Sequence, residues 1–354
     1  MAKPGPGGTI YFIAELGFDG CPSGMVKIGI VKDSDRSRTV EQRCDEHQTG
    51  NPNQLEVIHT VLSPMVERIE TLLHGELATA RLGGEWFHLP STALQSAIQT
   101  AEQHAAEAHN TIATFERAHE LANVISNGKE VVPTTSQADL GHHLASARAA
   151  LKVVTTASSR LVDHLAAAQD AQHPEVPWIE TVVKNGKSNF DAKAFQASHP
   201  RLYTRCLQHR IERQRTFRLS VPKPTPEEIA HNWPEQIAIA SSAEKLDAAH
   251  DGGDRLHNAF LALTSSEARL KWKVEQLDVQ LRVECDLNDG IQGVCKWSRQ
   301  DIERTVFDVE ALRQTHPTTY TKFVNAGDQI SETRPRRDHG RRDTNLGARM
   351  EGLK

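Results

Sequence analysis

Five polar side chains near the start of the chain are of types that could do chemistry together: Tyr11, Lys27, Arg43, Glu70 and His74. The planar guanidinium of an arginine such as Arg43 suits phosphate oxygens. A single carboxylate such as Glu70 is a sensible ligand for Mg²⁺, which keeps most of its waters. Glu70 and His74 are spaced i, i+4 and would share one face of a helix. Tyr11 and Lys27 lie in apolar, strand-like runs, where a buried polar group must find a partner.

Taken singly, each of these residues has an ordinary structural explanation. A strand tyrosine is usually core, a helical arginine is usually solvated or ion-paired, and a Glu/His pair at this spacing is more often structural than metal-binding. Their order is more informative, because short motifs recur between them. The full series is Tyr11, Lys27-Ile28-Gly29, Arg43, Gln48-Thr49-Gly50-Asn51-Pro52, Glu70, His74 and Glu85-Trp86-Phe87.

This series resembles the GIY-YIG nuclease superfamily over residues 8–92, particularly its phage and bacterial branch with KIG, QTGNP and GEWF signatures. The resemblance implies an α+β fold with a small three-stranded antiparallel sheet flanked by helices. It also implies hydrolysis of DNA phosphodiester bonds with one divalent cation, Mg²⁺ or Mn²⁺.

The resemblance assigns a role to each of the five side chains. Tyr11 would orient or deprotonate the attacking water, and Arg43 would stabilise charge on the phosphate in the transition state. Glu70 would hold the metal, and His74 would contact the phosphate or a metal-bound water. Lys27 stands at the position of the family's second tyrosine. It would serve as a phosphate contact or a proton carrier, or it would indicate slower chemistry. The segment 85–87 would be mainly structural.

The elements that must position these residues change character near Pro90. Strand-like runs at 9–14, 25–31 and 55–62 and helical segments at 35–47 and 63–80 predict a small domain of residues 1–91. Later, apolar residues alternate in steps of three and four over 94–122, 140–168 and 256–281, the seam of a coiled coil. Such seams occur both in helix pairs within one chain and in dimer interfaces, so a homodimer through them stays an alternative.

The second half contains an internal repeat. Trp178, Phe190-Asp191, His199-Pro200 and Tyr203 recur as Trp297, Phe307-Asp308, His316-Pro317 and Tyr320. Each Asp fits a helix N-cap, and each His-Pro should end one helix before another begins. The segment 178–190, with Asn185-Gly186 as its turn, predicts a hairpin in a duplicated helix-hairpin-helix unit.

The repeat gives a division of the helical region. We expect a connecting helix at 92–130, accessory repeats at 131–222 and 223–330, and a basic flexible tail at 331–354. Residues 136–220 and 241–325 also resemble, more weakly, the C-terminal accessory segment of YqaJ-type phage recombination exonucleases. Both resemblances imply phage, mobile-element or defence DNA metabolism, and the second implies a phage or recombination protein as a partner.

Charge and composition restrict the class of protein. The chain has a net charge of −5, and its first 90 residues hold 8 Lys/Arg against 12 Asp/Glu. The residues that bind DNA are therefore expected outside the first 90. The candidates are seven arginines, for which phosphate contact and plain solubility are both possible explanations: Arg213, Arg215, Arg218, Arg336, Arg337, Arg341 and Arg342.

Five cysteines without a C-x-x-C pair argue against a disulfide framework and a structural zinc site. No apolar run approaches a membrane span, which favours a cytoplasmic protein without a membrane partner.

Two functional hypotheses follow. The first is a metal-dependent DNA endonuclease whose helical region binds DNA or a partner. The second is an inactive adaptor or scaffold that keeps the nuclease fold, a reading favoured by Lys27 and the acidic N-terminal domain.

Overall fold

The structure, a computed structural model, describes residues 4–35, 38–172, 174, 177–186 and 188–339. It has the expected α+β class, with an antiparallel sheet at the N-terminus followed by a largely helical region. Within the described residues, no helix combines the length and the apolar character that crossing a membrane requires.

The N-terminal domain is built on a single antiparallel sheet with two helices. Its elements are β1 (Gly8–Leu16), β2 (Pro22–Lys32), α1 (Val40–Gln48), β3 (Leu55–Ser63), α2 (Val66–Glu76), β4 (Arg81–Gly83) and β5 (Trp86–His88). The first three strands and both helices confirm the segments predicted from sequence. The strand order is β3-β1-β2-β5-β4, so the sheet has five strands and not three. Strands of three residues, such as β4 and β5, are too short to show a period of two in the sequence.

The two faces of this sheet bury different residues, since side chains alternate along a strand. Ile10 and Phe12 of β1 pack beneath α2 and the following helix in the first hydrophobic core. Tyr11 and Ile13 point the other way, into a small cluster with Val40 of α1. The sheet therefore lies between two layers of helix.

The helical region contains three long helices, of 31, 38 and 33 residues, together with shorter helices and several strands. Its elements are α3 (Ser91–Leu121), β6 (Glu130–Val131), α4 (Thr135–Gln172), β7 (Ile179–Asn185), β8 (Asn189–Phe190), α5 (Ala192–Ser198), α6 (Pro200–Arg205), β9 (Leu207–Leu219), α7 (Pro226–Asn232), α8 (Pro234–Ala243), α9 (Gly253–Cys285), β10 (Gly290–Ile291), β11 (Cys295–Phe307), α10 (Val309–Thr315), α11 (Pro317–Thr321), β12 (Val324–Asn325) and β13 (Gln329–Pro335). Helix α9 packs against both α3 and α4. Leu144, Val154 and Leu270, which belong to the predicted seams, are buried in hydrophobic clusters between these helices.

The duplicated unit is present, but its strands pair differently from the expected hairpin. Strand β7 pairs with β13 near the C-terminus, and β8 pairs with β12. The predicted local hairpin at 178–190 is therefore wrong, because its outer strand finds its partner about 150 residues away. For the same reason the flexible tail expected from residue 331 is wrong over 331–335, which belong to β13.

The local features of the repeat are confirmed. Asp191 and Asp308 cap α5 and α10, each accepting a hydrogen bond at 2.9 Å from the backbone N–H three residues later. Each His-Pro separates its pair of helices. The two copies share one aromatic core, in which the rings of Tyr203 and Phe307 stack at 4.6 Å and those of Phe190 and Tyr320 at 5.4 Å. Residues of both copies therefore belong to a single hydrophobic cluster.

Candidate active site

The candidate site lies where β2 separates from its neighbour β5. Strand β5 pairs with β2 only over Met25–Lys27. Beyond that point the Ile28 N–H donates to the Glu85 carbonyl at 3.1 Å, and the Ile28 carbonyl lies 3.0 Å from Nε2 of His74 on α2. Because β5 pairs with β2 only as far as Lys27, the following edge of β2 is not covered by β5. Helix α2 lies beside this edge.

Tyr11 reaches this edge across the sheet. It is opposite Gly29 in the β1–β2 register and is fully buried. A Cβ at residue 29 would overlap the Tyr11 hydroxyl, so the glycine makes room for it. This hydroxyl has no hydrogen bond of good geometry within the described residues. Burial raises the pKa of Tyr11, and the nearby guanidinium of Arg43 partly offsets that rise.

Arg43 is presented by α1, whose start is fixed locally. Thr39 and Gln42 form a capping box, with reciprocal side chain to backbone hydrogen bonds of 3.2 and 2.8 Å. Arg43 donates to Glu46 at 2.5 Å and keeps only 21% of its side chain exposed. Its guanidinium is therefore held between Tyr11 and a carboxylate one helical turn away.

Glu70 and Glu85 bring two carboxylates to the same edge. Lys27 donates to Glu85 at 2.7 Å and is 7% exposed. Glu70 of α2 has no hydrogen bond or ion pair with the described residues. Burial, and secondarily the negative charge of Glu85, raise the pKa of Glu70 to about 7. A cation near Glu70 would favour its charged form, which is the behaviour of a carboxylate suited to bind a metal ion.

His74 makes a backbone contact in this arrangement. Its bond to the Ile28 carbonyl requires a proton on Nε2, which leaves only Nδ1 for any contact with substrate. Burial, together with the charge of Arg81, lowers the pKa of His74 to about 4. The imidazole is therefore neutral at pH 7 and holds α2 against β2.

Two residues near this edge, His47 and Glu85, are not predicted as site residues from the sequence. His47 lies one turn after Arg43, and its buried Nε2 has no partner within the described residues. Burial, with the charges of Lys27 and Arg43, lowers its pKa to about 4. The i, i+4 spacing of Arg43 and His47 is the signal that could have identified it. For Glu85 the sequence predicts a mainly structural role, whereas in the structure its carboxylate pairs with Lys27 beside the site.

The arginines expected to contact nucleic acid lie far from this edge in sequence and differ in environment. Arg213 pairs with Asp301 at 2.7 Å, and Arg215 donates to Asn123 at 2.6 Å. Arg218 is exposed on β9. Arg336 pairs with Asp338 at 3.2 Å, and Arg337 lines a cavity of about 480 Å³ between α2 and α9. Arg341 and Arg342 lie outside the described residues.

The donor set limits how a metal ion could be held. Within the described residues, no three His, Cys, Asp or Glu side chains form a cluster able to hold one. A divalent cation here would rely on Glu70 and on water, a mode that suits Mg²⁺.

Comparison with known families gives a match in the N-terminal region. Residues 8–102 match the model of the T5orf172 domain. This domain is associated with nuclease-related proteins of phages, and the match extends past the sheet into α3. No curated protein and no solved structure gives a significant match to the chain.

Proposed function

We propose that this protein is a metal-dependent endonuclease that hydrolyses DNA phosphodiester bonds at the open edge of β2. The observation that carries the proposal is Glu70, a half-buried carboxylate that has no hydrogen bond or ion pair with the described residues and lies near Lys27, Tyr11 and Arg43. The match of residues 8–102 to a domain of phage nuclease-related proteins supports the same class.

Each side chain has a role that fits its surroundings. Glu70 would hold Mg²⁺ or Mn²⁺, which when bound neutralises charge on the phosphate and on the leaving oxygen. Tyr11 would orient the attacking water. As the phenolate, formed by loss of its own proton to water and stabilised by the charge of Arg43, it would take the proton of the attacking water. Arg43 also contacts the phosphate as negative charge develops on it. His47 lies near Lys27 and Arg43, and its low pKa makes the ring neutral and only weakly basic at pH 7.

Plasmid nicking tests the proposal. Supercoiled DNA is incubated with Mg²⁺ or Mn²⁺, or with EDTA, and with wild type, Glu70→Gln and Tyr11→Phe. We expect metal-dependent nicking that falls at least about 100-fold in both variants. Glu67→Gln, at a half-exposed carboxylate of the same helix that already pairs with Lys32, is the matched control and should stay within about 2-fold of wild type. Cutting that survives Glu70→Gln would contradict the proposal.

A second candidate is an adaptor that binds DNA without turnover. The ion pair between Lys27 and Glu85 favours it, because it engages the residue that replaces the family's second tyrosine. DNA binding with no nicking under any metal would select this candidate. Restored nicking in Lys27→Tyr would show that the substitution at position 27 is the cause.

A further inference from the structure

The ribbon formed by β9 and β11 has two unlike faces. Its strands pair one to one from Leu207–Phe307 to Leu219–Cys295, with no bulge. Because side chains alternate, one face holds Cys295, Trp297 and Arg299, which are all buried. The opposite face, here called the outer face, comprises the even-numbered residues 208–218 and 296–306. These residues are exposed or half-buried.

The outer face is basic and contains unfavourable cross-strand pairs. Arg210 lies directly opposite Arg304, and Arg218 lies directly opposite Lys296. Like charges in such positions destabilise a ribbon. Glu212 is the outer face's only carboxylate. A concentration of positive charge in a chain of net charge −5 therefore points to a polyanionic partner.

Intramolecular ion pairs do not account for these cations. The contacts of Arg210 with Asp308, Arg304 with Glu212 and Lys296 with Glu130 measure 3.5, 3.6 and 3.8 Å. At more than half exposure, long pairs of this kind contribute little to stability. Arg218 makes no ion pair with the described residues.

Between the two cationic pairs lie groups that can read bases. Gln214 is opposite Gln300, and Thr216 is opposite Ser298. None of these four side chains forms a hydrogen bond with the described residues. Amides and hydroxyls are the groups that recognise base edges in the major groove, which is wide enough for a two-stranded ribbon.

We propose that the outer face of the β9–β11 ribbon binds duplex DNA by entering the major groove. The four cations contact phosphates on either side, and Gln214 and Gln300 reach the base edges between them. A ribbon of 13 residues is about 43 Å long, enough to cross the groove and both backbones. The inference rests on the proposed function for the choice of DNA as partner. Arg213 and Arg215 belong to the other face, where they bond to Asp301 and Asn123, and are not part of this surface.

Fluorescence anisotropy with a labelled 30-base-pair duplex, in EDTA, tests the ribbon without any need for cleavage. We expect Arg218→Ala/Lys296→Ala to weaken binding by about 10-fold or more at 0.1 M salt and to lower the salt slope by about 2. Gln214→Ala/Gln300→Ala should weaken binding with an unchanged slope, since amides release no counterions. Lys184→Ala/Arg334→Ala removes two charges from the exposed β7–β13 ribbon and should stay within about 2-fold of wild type.

Three results would overturn the inference. One is wild-type affinity and slope in Arg218→Ala/Lys296→Ala with an unchanged melting temperature. Another is an equal loss of binding in the β7–β13 control. The third is equal competition by duplex RNA, whose narrow major groove excludes a ribbon. DNA binding without nicking would instead refute the proposed function alone, and nicking with normal binding by the double variant would refute the ribbon alone.

Discussion

At the scale of single residues, the candidate site depends on a glycine and a tyrosine that face each other across β1 and β2. The Tyr11 hydroxyl occupies the space that a side chain at position 29 would need. Lys27, two residues earlier on the same face of β2, is held by Glu85. The KIG motif therefore supplies two features of the site. One is the ammonium group of Lys27, and the other is the missing side chain at Gly29, which leaves space for the Tyr11 hydroxyl.

Gly29→Ala should displace the tyrosine ring. Because the new methyl group overlaps the hydroxyl in a packed core, we expect a loss of about 1–3 kcal/mol in the free energy of unfolding and loss of nicking. Urea unfolding and the plasmid assay measure the two effects. Gly50→Ala is the control, since a Cβ there meets no neighbouring atom, and the two variants should differ clearly.

The titration of His74 should appear in the pH dependence of stability. Burial, with the charge of Arg81, lowers its pKa from 6.5 to about 4 in the folded chain. Between these values the unfolded chain binds more protons at His74, so the contribution of His74 to the free energy of unfolding falls as the pH drops from 6.5 to 4, whereas Glu70, whose pKa is raised to about 7, contributes in the opposite direction. His74→Gln, which can still donate to Ile28, should remove up to roughly 3 kcal/mol of that dependence. Urea unfolding at pH 7 and 4.5 checks this, and identical dependence in both proteins would contradict it. His47 accounts for a remaining part.

At the scale of elements, the QTGNP motif fixes the end of α1 against the sheet through side-chain hydrogen bonds. The Gln48 amide donates to the carbonyls of Asn51 and Asn53 at 3.0 and 2.9 Å and accepts from the Leu55 N–H at 2.8 Å. Asn51 in turn donates to the buried Glu15 of β1 at 2.7 Å. The loop after α1 is thereby tied to β1 and β3, which fixes the position from which Arg43 points.

Gln48→Ala should therefore affect both stability and activity. Loss of three hydrogen bonds predicts a decrease of about 2–3 kcal/mol in the free energy of unfolding. Nicking should fall as well, because α1 is no longer anchored beside Tyr11. Gln54→Ala removes a neighbouring exposed amide and should change stability by less than about 0.5 kcal/mol. Equal effects of the two changes in urea unfolding would refute this role for the motif.

At the scale of the whole molecule, the sheet and the distant helix α9 share one hydrophobic core. Trp272 and Val279 of α9 join the cluster that contains Ile10 and Phe12. Trp272 stacks on Phe115 of α3 with ring centroids 5.9 Å apart and donates to Glu107 at 3.2 Å. The C-terminal segment also meets this domain, where the His339 N–H donates to the Arg81 carbonyl at 2.9 Å.

Trp272→Ala should therefore weaken a sheet that lies some 200 residues away in sequence. Truncating a buried aromatic residue typically costs about 3–5 kcal/mol. We expect amide hydrogen exchange to accelerate in β1, β2 and β3 as well as in α9. Leu287→Ala, at an exposed residue, is the control and should leave exchange unchanged. Exchange that accelerates in α9 while the sheet stays protected would show that the two do not unfold together.

The amino-acid sequence by itself determined the features that depend on near neighbours. The period of apolar residues predicted β1, β2, β3 and the long helices, and Asp191 and Asp308 were correctly predicted as caps. The five candidate side chains could be named because motif order is a property of the chain. Their catalytic roles stay predictions.

Only the tertiary structure decided which strands pair and which face of each is covered. A period of two gives β9 two faces, but it does not say which face meets the core. The register with β11 decided that Arg218 points to solvent while Arg213 and Arg215 bond within the protein. The sequence also did not predict the pairing of β7 with β13. Strands so far apart in the chain are brought together by the packing of the elements between them. For the same reason, His47 and Glu85 come to the edge of β2 only through the placement of α1 and β5 in the fold.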